Sequence, residues 1–299
     1  MQNNIINKWM NFIVGFIIVL SFVISGLGLF YHNDNSSIDT KNIFGNEVQL
    51  YGKGVYANDS YFFAPVFRGS DLTILLVGIP LLVISFINYK NKQNLKSKIF
   101  LVSVLGIFLY QTTSITFGAF YNSLHLIYIF LFFLCLCSIL ILLAELYESR
   151  KKLEFKASFK SFGLKIMLGI TGIALIVAWI PDIIKSIIDM RPPIGLEVYH
   201  TSITNILDIG VIGPAALIAL YLVHKKNIFG MILAEMILIL GAYIGVMVVS
   251  QSYFQYSSGI ELPIAVILTK ALSFVILGFF SAYFAIKIYK NINIVNYSK

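Results

Sequence analysis

Hydrophobic positions along this chain do not recur with the period of an amphipathic helix or strand; they run on without interruption. Eight such stretches occur, at 9–30, 71–89, 98–119, 124–146, 164–186, 204–223, 228–250 and 262–287. A bilayer core of about 30 Å is crossed by roughly 20 helical residues, so each stretch is long enough to span it. The runs are about twice the length of a barrel strand and lack its alternation, and only a helix satisfies its own backbone in lipid. The pattern predicts an all-α integral membrane protein, an eight-helix bundle forming one transmembrane domain over 1–299.

Composition removes the alternatives. With 58% hydrophobic and 12% charged residues and a mean hydropathy of +0.85, the chain has too little polar surface to cover a soluble globule. Its two cysteines, Cys135 and Cys137, lie in an apolar run, which excludes a disulfide framework and a multi-cysteine metal site.

Charge then sets an expected orientation. Of the 22 Lys and Arg residues, sixteen fall in segments on the N-terminal side of the spans, five on the opposite side, and Lys270 lies within a span. Positive loops are retained in the cytoplasm, so both termini are expected there, and Trp9, Tyr31, Tyr89, Tyr121, Tyr147, Trp179 and Tyr289 mark the span ends. The net charge of +8 is spread along membrane edges and not gathered on one face, which reads as topology and not as nucleic-acid binding. The first span is longer than a signal-peptide core and no A-x-A site follows it.

Two outer connections are long, 31–70 and 187–203, and function is expected to concentrate there. On the other side, Leu153 to Phe162 places Phe155, Phe159 and Phe162 at helical spacing, as in an interfacial anchor helix. The halves 1–160 and 161–299 share features: Val55-Tyr56, Asp71 and Pro80 are matched by Val198-Tyr199, Asp208 and Pro214, and Ile99-Phe100 through Asn122-Ser123 match Ile228-Phe229 through Gln251-Ser252 without a gap. These suggest a four-plus-four parallel repeat, with any ligand site between the halves.

Ionisable groups inside spans are costly and face a bundle interior or a water-filled path. Asp208, Glu235 and Lys270 are the candidates. Asp208 and Lys270 share a depth and can pair, as a structural ion pair or as part of a proton, ion or ligand site. Glu235 has aliphatic neighbours and reads as a carboxyl bonded to an adjacent helix. The densest polar cluster closes the first long loop: Tyr51, Gly52, Gly54, Tyr56, Asn58, Asp59, Ser60, Arg68 and Asp71. Gly52 and Gly54 permit a tight turn with positive φ. Arg68, three residues before Asp71, is placed to reach it or a bound anion. Tyr110, Gln111, Thr112, Thr113 and Thr116 make the third span polar, and Gly241 with Gly245 form a close-packing face.

Metalloprotease, redox-thiol and phosphate-loop signatures are missing, so no catalytic residue, metal ligand or cofactor is assigned. The segment Leu50 to Ser60, with Arg68-Gly69-Ser70-Asp71, Leu207-Asp208-Ile209-Gly210 and Pro214, resembles a group of uncharacterised bacterial multi-pass membrane proteins over about a third of the chain. The resemblance implies a bacterial plasma membrane and no particular substrate. Beyond the bilayer itself, the expected partner is a small molecule or a membrane protein. The function expected is transporter-like or ligand-binding, with an outward-opening site; the other readings are a sensor or accessory subunit binding through its outer loops, and an intramembrane enzyme of unfamiliar type.

Overall fold

The computed structural model describes residues 2–33, 35–156, 159–260 and 263–295. Among them are eight helices long and apolar enough to cross a membrane: α1 Gln2–Phe30, α2 Phe63–Lys92, α3 Leu95–Gly118, α4 His125–Glu148, α5 Phe162–Ile188, α6 Ile203–His224, α7 Ile228–Ser257 and α8 Ile264–Asn291. The chain is thus a multi-pass helical membrane protein. The start of α1 and the end of α8 lie at one end of the bundle, where Tyr89 donates to Asn7 Oδ1 at 2.6 Å and Asn88 to Tyr289 at 3.4 Å. The other end carries the long connections and is called the cap end below.

Each set of four helices closes on itself. α1 packs on α2 and α4, α2 on α3, and α3 on α4; α5 packs on α6 and α8, α6 on α7, and α7 on α8. The halves meet where α7 lies against α2 and α3, with α3 also touching α6. Their interior positions make α3 and α7 the two most buried spans. Small residues allow the close approaches: Gly245 faces Gly278 backbone to backbone between α7 and α8, and a Cβ there would lie 2.8 Å from Phe274 O. This is the packing the G-x-x-x-G spacing predicts.

Two spans break in the same way. In α2, Ile74–Gly78 widens into a π-turn, Ile79 N–H reaches back five residues to Ile74 O, and Pro80 follows. In α6, Asp208–Ile212 does the same, Gly213 N–H bonds Asp208 O, and Pro214 follows. A proline has no N–H and its ring crowds the carbonyl four residues back; the wider turn accommodates both within a continuing helix.

Three expectations are corrected. α2 begins at Phe63, eight residues before the apolar run, because Phe62 to Ser70 are packed beneath the cap although their sequence is mixed. Ile99-Phe100 do not open α3, which starts at Leu95 behind an Asn94 cap, whereas Ile228-Phe229 do open α7 behind Asn227; the gapless register therefore fails at the helix starts. Leu153–Phe155 is a strand, β3, paired antiparallel with β4, Ile292–Ile294, and is no interfacial helix. The backbone donors of that loop are satisfied by the chain's own C-terminal segment.

Candidate functional site

The cap is built over α1 and α2. Strands β1, Ile38–Lys41, and β2, Glu47–Leu50, form a hairpin. The chain then turns sharply through Gly52 and Gly54, at φ of 75° and 63°. Any side chain at Gly52 would strike Ser36 O, and one at Gly54 would stand 2.5 Å from Tyr31 O. This turn delivers Tyr56 into the bundle, where it is fully buried and stacks on Phe67 at 5.4 Å.

The Tyr56 phenol donates to Asp71 Oδ2 at 2.6 Å. Burial, with the Asp71 charge next, pushes the phenol well above its ordinary value, so it stays protonated and donating. Ser25 of α1 lines the same cavity as this carboxyl. Gly28 leaves the room for the Tyr56–Asp71 bond, because a Cβ there would collide with Asp71 Oδ2 and lie 3.0 Å from the Tyr56 oxygen. Lys98 pairs with Glu145, 2.7 Å apart at the terminal end, and among the described residues no cation is paired with Asp71.

Asp71 forms the cap-side wall of a cavity with room for about one water molecule, inside the α1–α4 ring. Its other polar walls are Ser21, Ser25, Gln111 and Thr112; Ile74, which opens the π-turn of α2, also lines it. Ser21 Oγ is buried without a hydrogen-bond partner. On the other side of the Tyr56–Asp71 bond lies a second small cavity, lined by Gly28, Tyr31, His32, Tyr51, Lys53, Gly54, Tyr56 and Arg68. The bonded pair joins them, Asp71 lining the first and Tyr56 the second.

Arg68 lines that second cavity and forms no ion pair with Asp71, the first of the two roles expected of it. Its guanidinium donates to Tyr51 Oη at 2.8 Å and Leu29 O at 3.2 Å, and lies 5.1 Å from the centre of the Phe254 ring. The side chain extends to the cap end, where a long cationic group gains hydration, and leaves the interior to Tyr56.

Asp59 ties the cap together. Its Oδ1 accepts from Phe120 N–H at 2.7 Å and from Tyr199 O–H at 2.9 Å, and Ser60 N–H donates in turn to Tyr199 Oη at 3.2 Å. One carboxylate thus joins the first long loop, the α3–α4 turn and the second long loop. Burial raises it to about 7, with both hydrogen bonds opposing the rise, and its Oδ2 has no partner.

In the second half, Asp208 opens the π-turn of α6 and accepts from Trp179 Nε1 at 2.8 Å. The Lys270 side chain lies outside the described residues, and with it the expected Asp208–Lys270 pairing. Glu235 is buried with Oε2 unpartnered, so the expected interhelical bond to that oxygen is not made. Lys96, on the adjoining α3, is engaged elsewhere, 4.6 Å from the Tyr289 ring centre and 3.4 Å from Ile292 O.

The structure therefore brings Tyr51, Tyr56, Arg68 and Asp71 together at the cap end, with Asp59 in the cap above them, and leaves Asp208 and Glu235 apart. Sequence reasoning missed Ser21, Ser25 and Gly28, which are ordinary small residues in an apolar run, and it noted Gln111 and Thr112 only as polar positions of the third span. The available signal was their polarity alone. No family model matches the chain, and no curated protein or solved structure matches it.

Proposed function

We propose that this protein is a transporter-like membrane protein whose route starts at the cap and runs past Arg68 and Tyr56 to Asp71. The observation that carries this reading is the Tyr56–Asp71 hydrogen bond, which links a residue lining the cap-side cavity to one lining the interior cavity. A buried carboxyl without a cation costs several kcal/mol in a bundle that has no use for it. A π-turn beginning three residues further along gives the helix that carries it a place to bend.

In this reading the cap faces outward and both termini are cytoplasmic, in keeping with the distribution of Lys and Arg, and the membrane is a bacterial plasma membrane. The four-plus-four repeat belongs to the same proposal. It is supported by the matched π-turns before Pro80 and Pro214, by the asparagine caps at Asn94 and Asn227, and by the same ring of neighbours in each half. The two aspartates are not strict counterparts, since Asp71 precedes its π-turn by three residues and Asp208 begins one.

Two-sided labelling tests the reading. Ser25→Cys, in a background with Cys135 and Cys137 replaced, is treated with a membrane-impermeant thiol reagent in sealed vesicles of each orientation. A transporter exposes this position to both sides in turn, so both orientations react. Reaction from the cap side alone, or from neither, replaces transport with a sensor or accessory role.

A further inference from the structure

The cap-side cavity is lined by three basic side chains, His32, Lys53 and Arg68, and among the described residues by no acidic one. Of the five Lys and Arg residues in the segments on this side of the spans, two thus line one small space. Among the described residues none of the three bases is paired with a carboxylate. Like charges held close together repel, and an anion between them removes that cost.

The polar groups around the space are donors. Arg68 is fixed on three sides: it donates to Tyr51 Oη at 2.8 Å and to Leu29 O at 3.2 Å, and lies 5.1 Å from the centre of the Phe254 ring. A guanidinium carries five N–H groups, so these bonds leave others unspent. Tyr51 is 8% exposed; its oxygen accepts from Arg68, and among the described residues its own proton has no acceptor. His32 Nδ1 meets Phe30 O at 3.0 Å and so carries a proton, while Nε2 stands 3.4 Å from the guanidinium. The acceptors close by are committed, Leu29 O to Arg68 and Asn33 Oδ1 to Gly54 N–H at 2.7 Å.

Spare donors and positive charge select a negatively charged acceptor, and a guanidinium fits the oxygens of a carboxylate or phosphate. The space has room for about one water molecule, and Tyr31, His32 and Lys53 in its lining are exposed. It therefore takes one oxygen of such a group and leaves the remainder at the cap surface. We propose that this cavity is an oxyanion site, in which the Arg68 guanidinium and the Tyr51 hydroxyl bind an oxygen of a phosphate or carboxylate and Lys53 and His32 add charge at the rim. The site goes beyond the transport reading and does not depend on it, because an anion held at the cap serves a sensor as well as a transporter. A dissolved anion and the headgroup of an anionic lipid offer the same chemistry, and the end of α1 places the site near headgroup level.

The test is the thermal stability of the purified full-length protein in a detergent without phosphate groups, at constant pH and ionic strength, in sodium phosphate, sodium acetate or sodium chloride, with phosphatidylglycerol added to the chloride sample as a further arm. A ligand that binds only the folded state raises the melting temperature with its concentration. The expected result is a saturable rise over chloride whose midpoint moves at least tenfold higher in Arg68→Gln and Tyr51→Phe, moves severalfold in Lys53→Gln, and stays in place in Lys41→Gln, a cap-side lysine outside the cavity. A rise with dissolved phosphate or acetate assigns the site to a free anion, and a rise with phosphatidylglycerol alone assigns it to a lipid headgroup. Should Arg68→Gln fail to fold, Tyr51→Phe and the exposed Lys53→Gln carry the decision. Equal melting in every arm, a midpoint that Tyr51→Phe and Lys53→Gln leave in place, or an equal shift in Lys41→Gln and Lys53→Gln overturns the proposal. Labelling of Ser25→Cys is read separately, so the anion site and the transport reading fail independently.

Discussion

Tyr56 and Asp71 come from different segments, fifteen residues apart, and meet in a 2.6 Å hydrogen bond between a residue lining the cap-side cavity and one lining the interior cavity. The bond sits where a loop outside the spans touches a helix within them. Anything passing from one cavity to the other must break it or go around it.

Removing the donor alone is the mildest probe. Tyr56→Phe keeps the ring stacked on Phe67 and leaves a buried acceptor short of one partner, at a cost of about 1–3 kcal/mol. Thermal denaturation in detergent should register that loss, and labelling of Ser25→Cys from the cap side should quicken.

Gly28 is where the closure is tightest. Gly28→Ala places a methyl group against Asp71 Oδ2 and the Tyr56 oxygen, so one of them must move. We expect destabilisation of about 1–3 kcal/mol, typical of overpacking, together with faster cap-side labelling. Unchanged melting and labelling would show that α1 yields and that the fit is not close.

How much of this was legible follows from which forces are local. The spans are readable because a bilayer demands unbroken apolar runs, and the eight runs match eight helices. The start of α2 was hidden, since Phe63 to Ser70 gain their burial from the cap and from α7, at close backbone contacts such as Gly69 with Gln251. Pro80 and Pro214 announced an interruption but not its form. Arg68 and Asp71 sit three apart on one helix, and sequence spacing favoured their pairing; the preference of a guanidinium for the membrane edge decided otherwise. Tyr56 was visible as part of a polar cluster, yet nothing local says that it points inward.

The cap predicts a pH dependence. Asp59 stands at about 7 in the folded protein, above the ordinary carboxyl value of roughly 4. The folded state therefore holds a proton that the unfolded state releases over this interval, and stability falls as pH rises from about 4 to 7. Asp59→Asn keeps an Oδ1 acceptor for Phe120 and Tyr199 and cannot ionise. Its melting temperature should be flat in Asp59's share of that range, and a slope equal to the wild type's would place the dependence on another group.

The second half offers a comparison. Trp179→Phe removes the indole donor from Asp208 and should destabilise by about 1–3 kcal/mol. If the interior route belongs to the first half, Ser25→Cys labelling in this variant proceeds at the parent rate. A changed rate would couple the two aspartates through the α3–α7 contact.

The central claim, that a route from the cap reaches Asp71, is tested most directly by charge movement. Proteoliposomes on a solid-supported membrane are exposed on the cap side to a step in proton concentration. The account predicts a transient current in the parent protein and none in Asp71→Asn of the same helical content. Silence of the parent, or an undiminished current in Asp71→Asn, would contradict it.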